Sequence, residues 1–257
     1  MHRCGSGWVP LRHDHGCPYS TQPRHQRLRT AVTVLRAGVL LDVDGTLLDS
    51  NYLHTLAWSR ALDDLGEWAP MNAVHRLIGM GGDQLVEELL GEPRDGAADA
   101  WRARYDELAG DVRPFPFARE LVERMREAGL AVVLATSSPG DLLARAIEIV
   151  GIKSSIDATT SADEVHSTKP APEVFETAMR SGDVDPRYAL AVGDSVWDVR
   201  AARAAGIGCV AVETGGFSRH ELVEEGAIAV YRDPEELARQ LATSPIGLLM
   251  SASRIGR

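Results

Sequence analysis

Residues 40–50 read LLDVDGTLLDS. The apolar run Gly38-Val39-Leu40-Leu41 ends in Asp42 and Asp44, spaced i, i+2, and a Gly45-Thr46 turn follows. A short continuous apolar run is the pattern of a strand buried on both faces. Carboxylates at the end of such a strand are costly to bury unless cations or hydrogen-bond donors meet them. The pair reads as a site built at a strand end, and its partners should lie at other strand ends.

Outward from this stretch, strand and helix patterns alternate. Residues 50–66 read as a helix with Leu53, Leu56, Ala57, Ala61 and Leu65 near one face and Gly66 as a stop. Residues 83–91 and 97–110 are two more helical stretches, and no strand signal appears between 50 and 112. The prolines of RPFPF, 113–117, then break the chain. Helices are predicted over 117–129, 139–151, 171–182, 196–206 and 233–242. Strands are predicted over 130–138, 156–161, 188–195, 207–214 and 227–230. This alternation predicts an α/β fold: a Rossmann-like, doubly wound parallel sheet with helices on both faces. The all-helical stretch is an insertion into it. The expected organisation is a core of 37–50 and 113–243, a helical cap of 51–112, and a loose C-terminal tail of 244–257.

The first 36 residues differ from the rest, with six arginines, one aspartate and four of the eight histidines. Arg-rich, acid-poor N-termini can be targeting peptides, and Cys4, His13, His15 and Cys17 offer metal-ligand types. The expectation is plainer: a disordered tail, or an extension upstream of the true start.

The 257 residues are 44% hydrophobic and 25% charged, ordinary for a globular protein. The net charge of −10 argues against a nucleic-acid partner, and no apolar run approaches membrane-spanning length. Three cysteines without metal-type spacing predict a reduced, cytoplasmic setting. No sequence feature bears on oligomeric state.

Three predicted strands end in polar residues: Asp42 and Asp44 on the first, Thr136 and Ser137 on the second, Asp194 on the third. Ligands of open α/β sheets bind beyond the carboxyl ends of the strands. Carboxylates there suit a hard cation such as Mg²⁺, with Asp42 and Asp194 as ligands. The Thr136-Ser137-Ser138 turn runs into a helix at Pro139, and a helix N-terminus with hydroxyls favours an anion. Lys169, in STKPAP, is one of only two lysines among 27 basic residues. In a chain that otherwise uses arginine, it marks a place needing a compact point charge, which a guanidinium does not replace.

In combination these motifs resemble the haloacid dehalogenase-like (HAD) hydrolase superfamily, in particular its group of phosphoglycolate phosphatases and β-phosphoglucomutase-like proteins with helical caps. DVDGT at 42–46 is similar to its first motif, Thr136 or Ser137 to the second, Lys169 to the third and GDSVWD at 193–198 to the fourth. The resemblance covers about residues 37–243 and implies that the cap is a mobile lid. It implies Asp42 as nucleophile forming an aspartyl-phosphate and Asp44 as general acid, then base. Mg²⁺ would be held by Asp42, the Asp44 carbonyl and Asp194, with Asp198 supporting. Thr136, Ser137 and Lys169 would bind the phosphoryl group.

The implied reaction is hydrolysis of a small phosphorylated metabolite. Asp44 argues against dehalogenase chemistry, and a cap without lysine argues against a phosphonatase. A β-phosphoglucomutase-like phosphomutase remains the alternative, because His54 matches the hinge histidine of those enzymes. A non-catalytic binding module is a second. The cap loop IGMGGDQL supplies Gly81, Gly82 and Asp83 toward the substrate, with Arg76 nearby for a second anion.

Overall fold

The computed structural model describes residues 35–255. Strand β1, Arg36–Leu41, is followed by a two-residue strand β2, Leu48–Asp49. Four helices come next: α1 Asn51–Asp64, α2 Met71–Leu77, α3 Gly82–Leu90 and α4 Ala97–Leu108. The chain returns through β3, Arg113–Pro114, which pairs antiparallel with β2, Leu48 opposite Pro114 and Asp49 opposite Arg113. The inserted helices therefore leave and re-enter the core through two adjoining strands.

The core continues with α5 Ala118–Glu127, β4 Ala131–Ala135, α6 Gly140–Val150, β5 Ala158–Thr160 and α7 Glu173–Ser181. It ends with β6 Val184–Gly193, α8 Val196–Ala204, β7 Gly208–Val212, α9 Arg219–Glu225, β8 Ala229–Tyr231, α10 Pro234–Arg239 and α11 Pro245–Ile255. The six-stranded sheet runs β5-β4-β1-β6-β7-β8, all pairs parallel.

Helices cover both faces, which explains the unbroken apolar runs. Alternate residues of β1 enter different layers: Val39 and Leu41 pack with α5, α6 and α10, whereas Leu40 packs with α7, α8 and α9. Leu41 pairs with Leu134 on one side and Val192 on the other. That register sets Asp42 one residue past Leu41, beside Thr136 and Asp194, each two residues past its own strand's pairing partner.

The C-terminal segment is not a loose tail. Ser244 Oγ accepts from the Gly247 N–H at 3.3 Å, Pro245 opens α11, and Ile246 is fully buried. Serine at the cap with proline at the first helical position is a helix start. Leu249 and Met250 complete the apolar face laid against the core. The core strand begins at Arg36, one residue before the expected boundary. The expected extension, with Cys4, His13, His15 and Cys17, lies outside the described residues apart from its last two. Among the described residues no helix is long and apolar enough to cross a membrane.

Candidate active site

Asp42 is buried at the end of β1, its N–H donating to the Val192 carbonyl at 2.9 Å. Lys169, only 1% exposed, places Nζ 2.5 Å from Asp42 Oδ1 and 2.8 Å from Asp198 Oδ1. Asp198 Oδ2 accepts from the Ser195 hydroxyl at 2.6 Å and its N–H at 3.1 Å. Asp194 accepts from Thr46 Oγ1 and from Asn51 Nδ2, both at 2.8 Å.

Asp42, Asp194 and Asp198 bring one carboxylate oxygen each within 4.8 Å of one another. Three carboxylates face one ammonium, leaving two negative charges in a buried site. The electrostatics register that excess. Burial, with repulsion from Asp198 and Asp44, outweighs Lys169 and pushes the Asp42 carboxyl up to about 7. Burial, then Asp198 and Asp42, raises Asp194 well above the carboxylate range. Burial opposes the Lys169 charge, but Asp198 and Asp42 outweigh it and hold the ammonium above the usual lysine range.

The donor set fits a hard divalent cation, being all oxygen and short of two positive charges. The backbone leaves room around it. Gly45 has φ +75°, and a Cβ there would lie 2.3 Å from Asp194 Oδ2; one on Gly215 would lie 2.0 Å from the same oxygen.

Asp44 is held differently. Its Oδ1 accepts from Ser50 Oγ at 2.6 Å and meets His54 Nε2 at 3.0 Å, and its Oδ2 accepts from Ser138 Oγ at 2.7 Å. Burial works against its charge, yet His54 and the two hydroxyls outweigh burial and hold the carboxyl well below the usual range. Neighbouring aspartates of one motif are thus driven in opposite directions, and a divalent cation beside Asp42 would favour its ionised form again.

Thr136 Oγ1 accepts from the Ser138 N–H at 3.0 Å, which leaves its own hydroxyl hydrogen available. Ser137 Oγ is buried without a protein partner. These residues, with Asp42 and Asp44, form the floor of a cavity of about 400 Å³ between core and cap.

His54 and Trp58, one turn apart on α1, stack on Tyr105 and Trp101, one turn apart on α4. The centroid distances are 4.3 Å for His54–Tyr105 and 5.5 Å for Trp58–Trp101. Gly81, Gly82 and Asp83 border the cavity with His54. Arg76 does not. Its guanidinium pairs with Glu221 at 2.5 Å and lies 4.0 Å from the Phe217 ring centre, both on the core. The second-anion expectation for Arg76 is therefore corrected: α2 turns this side chain toward α9.

The cap rests on the core. Trp197 Nε1 donates to the Arg76 carbonyl at 3.1 Å, and Arg102 of α4 pairs with Asp141 of α6. A Cβ on Gly81 would lie 2.1 Å from Thr168 Oγ1 and one on Gly82 2.9 Å from the Trp58 ring. The absent side chains let the cap loop sit directly against Thr168 and Trp58 at the cavity rim. Gly81→Val should hold the cap off the core and lower kcat/KM by about 10²-fold, the scale of an ångström-sized misplacement. Pairing it with Thr168→Ala should restore part of the loss; equal rates for Gly81→Val and the parent in steady-state assays would remove this role.

Residues missed in the sequence include Thr46 and Asn51 on Asp194, and Ser50 and Ser138 on Asp44. Thr46, Ser50 and Asn51 immediately surround the opening motif, and that nearness was the available signal.

Residues 37–206 match the haloacid dehalogenase-like hydrolase family. The chain is 32% identical to protein CbbY of Cereibacter sphaeroides over 71% of this chain and 86% of that protein. It is 33% identical to a phosphoglycolate phosphatase of Cupriavidus necator over 69% of this chain and 80% of that protein. Among solved structures, a hydrolase from Pseudomonas syringae superposes with a TM-score of 0.76 at 30% identity, covering 81% of this chain and 99% of that one. CbbY from Rhodobacter sphaeroides in complex with xylulose-(1,5)bisphosphate superposes at 0.67 with 26% identity, covering 79% and 96%. The strand-end aspartates, the buried lysine and the helical insertion all fall within this likeness, and the chain belongs to the haloacid dehalogenase-like hydrolase family.

Proposed function

We propose that this phosphatase-like hydrolase is Mg²⁺-dependent and removes phosphate from a small phosphorylated metabolite through an aspartyl-phosphate on Asp42. The observation that carries the proposal is the geometry at the end of β1: Asp42 lies 2.5 Å from Lys169 Nζ beside Asp194 and Asp198, and Asp44 meets His54 Nε2 at 3.0 Å and accepts from Ser50 and Ser138. Relatives that are phosphoglycolate phosphatases, and a CbbY bound to a sugar bisphosphate, support a small phosphorylated substrate.

Asp42, Asp194 and the Asp44 carbonyl would hold the cation, with Asp198 supporting through its grip on Lys169. When bound, Mg²⁺ supplies charge neutralisation at the transferred phosphoryl group. The Thr136 hydroxyl, the Ser137 hydroxyl and N–H, and Lys169 orient the phosphoryl oxygens. An Asp42 carboxylate oxygen attacks phosphorus as the ester oxygen departs. Asp44, a carboxylate at rest, relays to that oxygen a proton taken from His54 Nε2, 3.0 Å away. As a carboxylate, Asp44 then takes a proton from the water that hydrolyses the aspartyl-phosphate.

Phosphate release from an aryl phosphate tests this. Activity should appear with Mg²⁺ and disappear with EDTA, returning when Mg²⁺ is restored. Undiminished turnover in EDTA would refute the metal requirement. Product analysis with a hexose 1-phosphate separates the phosphomutase alternative: free phosphate supports hydrolysis, a 6-phosphate the mutase.

A further inference from the structure

We propose that the cavity selects phosphate monoesters whose alcohol portion carries no second negative charge and presents an apolar or ring-bearing body. This rests on the phosphatase reading above. It runs against the substrates named for several relatives, phosphoglycolate with its carboxylate and a sugar bisphosphate with its second phosphate.

Beyond the polar floor, Trp58, Ile78, Met80, Leu85, Trp101 and Val165 line most of the walls, with the uncharged polar Gln84 and Thr168 among them, and among the described residues no lysine or arginine lines the cavity. The charged side chain on the cap side is an acid, Asp83. The two lining histidines are His54, engaged with Asp44, and His166.

The nearby cations are committed elsewhere. Lys169 lies between Asp42 and Asp198. Every arginine of the cap is paired with a carboxylate: Arg60 with Glu107, Arg76 with Glu221, Arg94 with Glu67, Arg102 with Asp106 and Asp141, and Arg104 with Asp64 and Glu107. Arg145 borders a separate crevice of about 20 Å³ behind Asp44 and donates to the Ala109 carbonyl at 3.1 Å. That space suits a water molecule, not an anionic group.

Helix α3 begins at the cavity wall, and its positive end would ordinarily attract an anion. Asp83 sits in its first turn and supplies that negative charge itself. Nor does an arginine await lid closure, because Gly81 already packs on Thr168 and Arg76 already pairs with the core. A substrate carboxylate would lose its water against apolar walls and face Asp83 without a counter-charge, an unfavourable exchange. Indole faces instead receive a ring or an alkyl body.

The test uses matched esters with the Mg²⁺-loaded full chain: phenyl phosphate against 4-carboxyphenyl phosphate, and 2-hydroxyethyl phosphate against phosphoglycolate. The uncharged member of each pair should have the higher kcat/KM, by about tenfold or more. The para carboxylate withdraws electrons and improves the leaving group, so intrinsic reactivity opposes this preference. Asp83→Arg should narrow or reverse both gaps. Equal or better turnover of the carboxylate-bearing esters by the parent protein would overturn the proposal while leaving the phosphatase reading intact. If none of the four esters is hydrolysed in an Asp42-dependent way, the phosphatase reading falls, and this proposal falls with it.

Discussion

Asp42→Asn is expected to abolish phosphate release while leaving the protein folded and, in metal-free buffer, relatively more stable as pH rises. The loss should be at least about 10³-fold in kcat, because an amide cannot act as the attacking carboxylate. The stability effect follows from burial. The Asp42 carboxyl is pushed up to about 7 in the folded chain from an ordinary 3.8. A group raised on folding favours the folded state below its unfolded value, and that contribution is lost as pH climbs to the folded one. Metal-free parent protein should therefore lose stability between about pH 4 and pH 7 through this residue, whereas Asp42→Asn should not. The melting-temperature gap between the two in EDTA, followed across that window, measures the effect. Mg²⁺ should close the gap by favouring the parent. Retained hydrolysis by Asp42→Asn would remove the nucleophile assignment; a pH-independent gap would remove the electrostatic one. Instability concentrated at one buried carboxyl of a candidate site is the form a stability–activity trade-off takes.

The sequence carried this site unevenly, for physical reasons. Strand ends were legible because an apolar run terminated by polar residues is a local signal. In the fold, β4, β1 and β6 are adjacent and put Thr136, Asp42 and Asp194 side by side. Lys169 was legible through composition, as a lysine kept in an arginine-rich chain. The hydrogen bonds that orient the carboxylates were not. Thr46 and Asn51 reach Asp194 across 148 and 143 residues, and their nearness to the opening motif does not say which carboxylate they meet. Trp101 and Tyr105 fall one turn apart on α4, but the rings stacked on them belong to α1, far off in sequence. Arg76 illustrates the limit: nearness in sequence to the cap loop does not set the direction a helix gives its side chain. For α11, the Ser244-Pro245 start signal was present, but apolar residues near a chain end read as a tail until the core face they cover is known.

Lys169→Met should separate the two duties of that lysine. The methionine side chain fits the volume but removes the charge between Asp42 and Asp198, which are 2.5 and 2.8 Å from Nζ. Losing one partner of a buried ion pair costs about 3–5 kcal/mol. For a chain of this size that lowers the melting temperature by roughly 6–20 °C. Since the deficit is a missing positive charge, added Mg²⁺ should stabilise Lys169→Met more than it stabilises the parent. The double variant Lys169→Met/Asp198→Asn removes one of the stranded charges. It should recover much of the lost stability and none of the lost turnover, because the ammonium that Asp42 and the phosphoryl oxygens share is still missing. Recovery of turnover together with stability would mean that Lys169 only balances charge. A Lys169→Met melting temperature equal to the parent's in EDTA would mean that it does not balance charge either. Lys169→Arg keeps the charge but not the compact head. A planar guanidinium in a slot that leaves Lys169 1% exposed must displace Asp42 or Asp198, so this variant should regain stability more than rate.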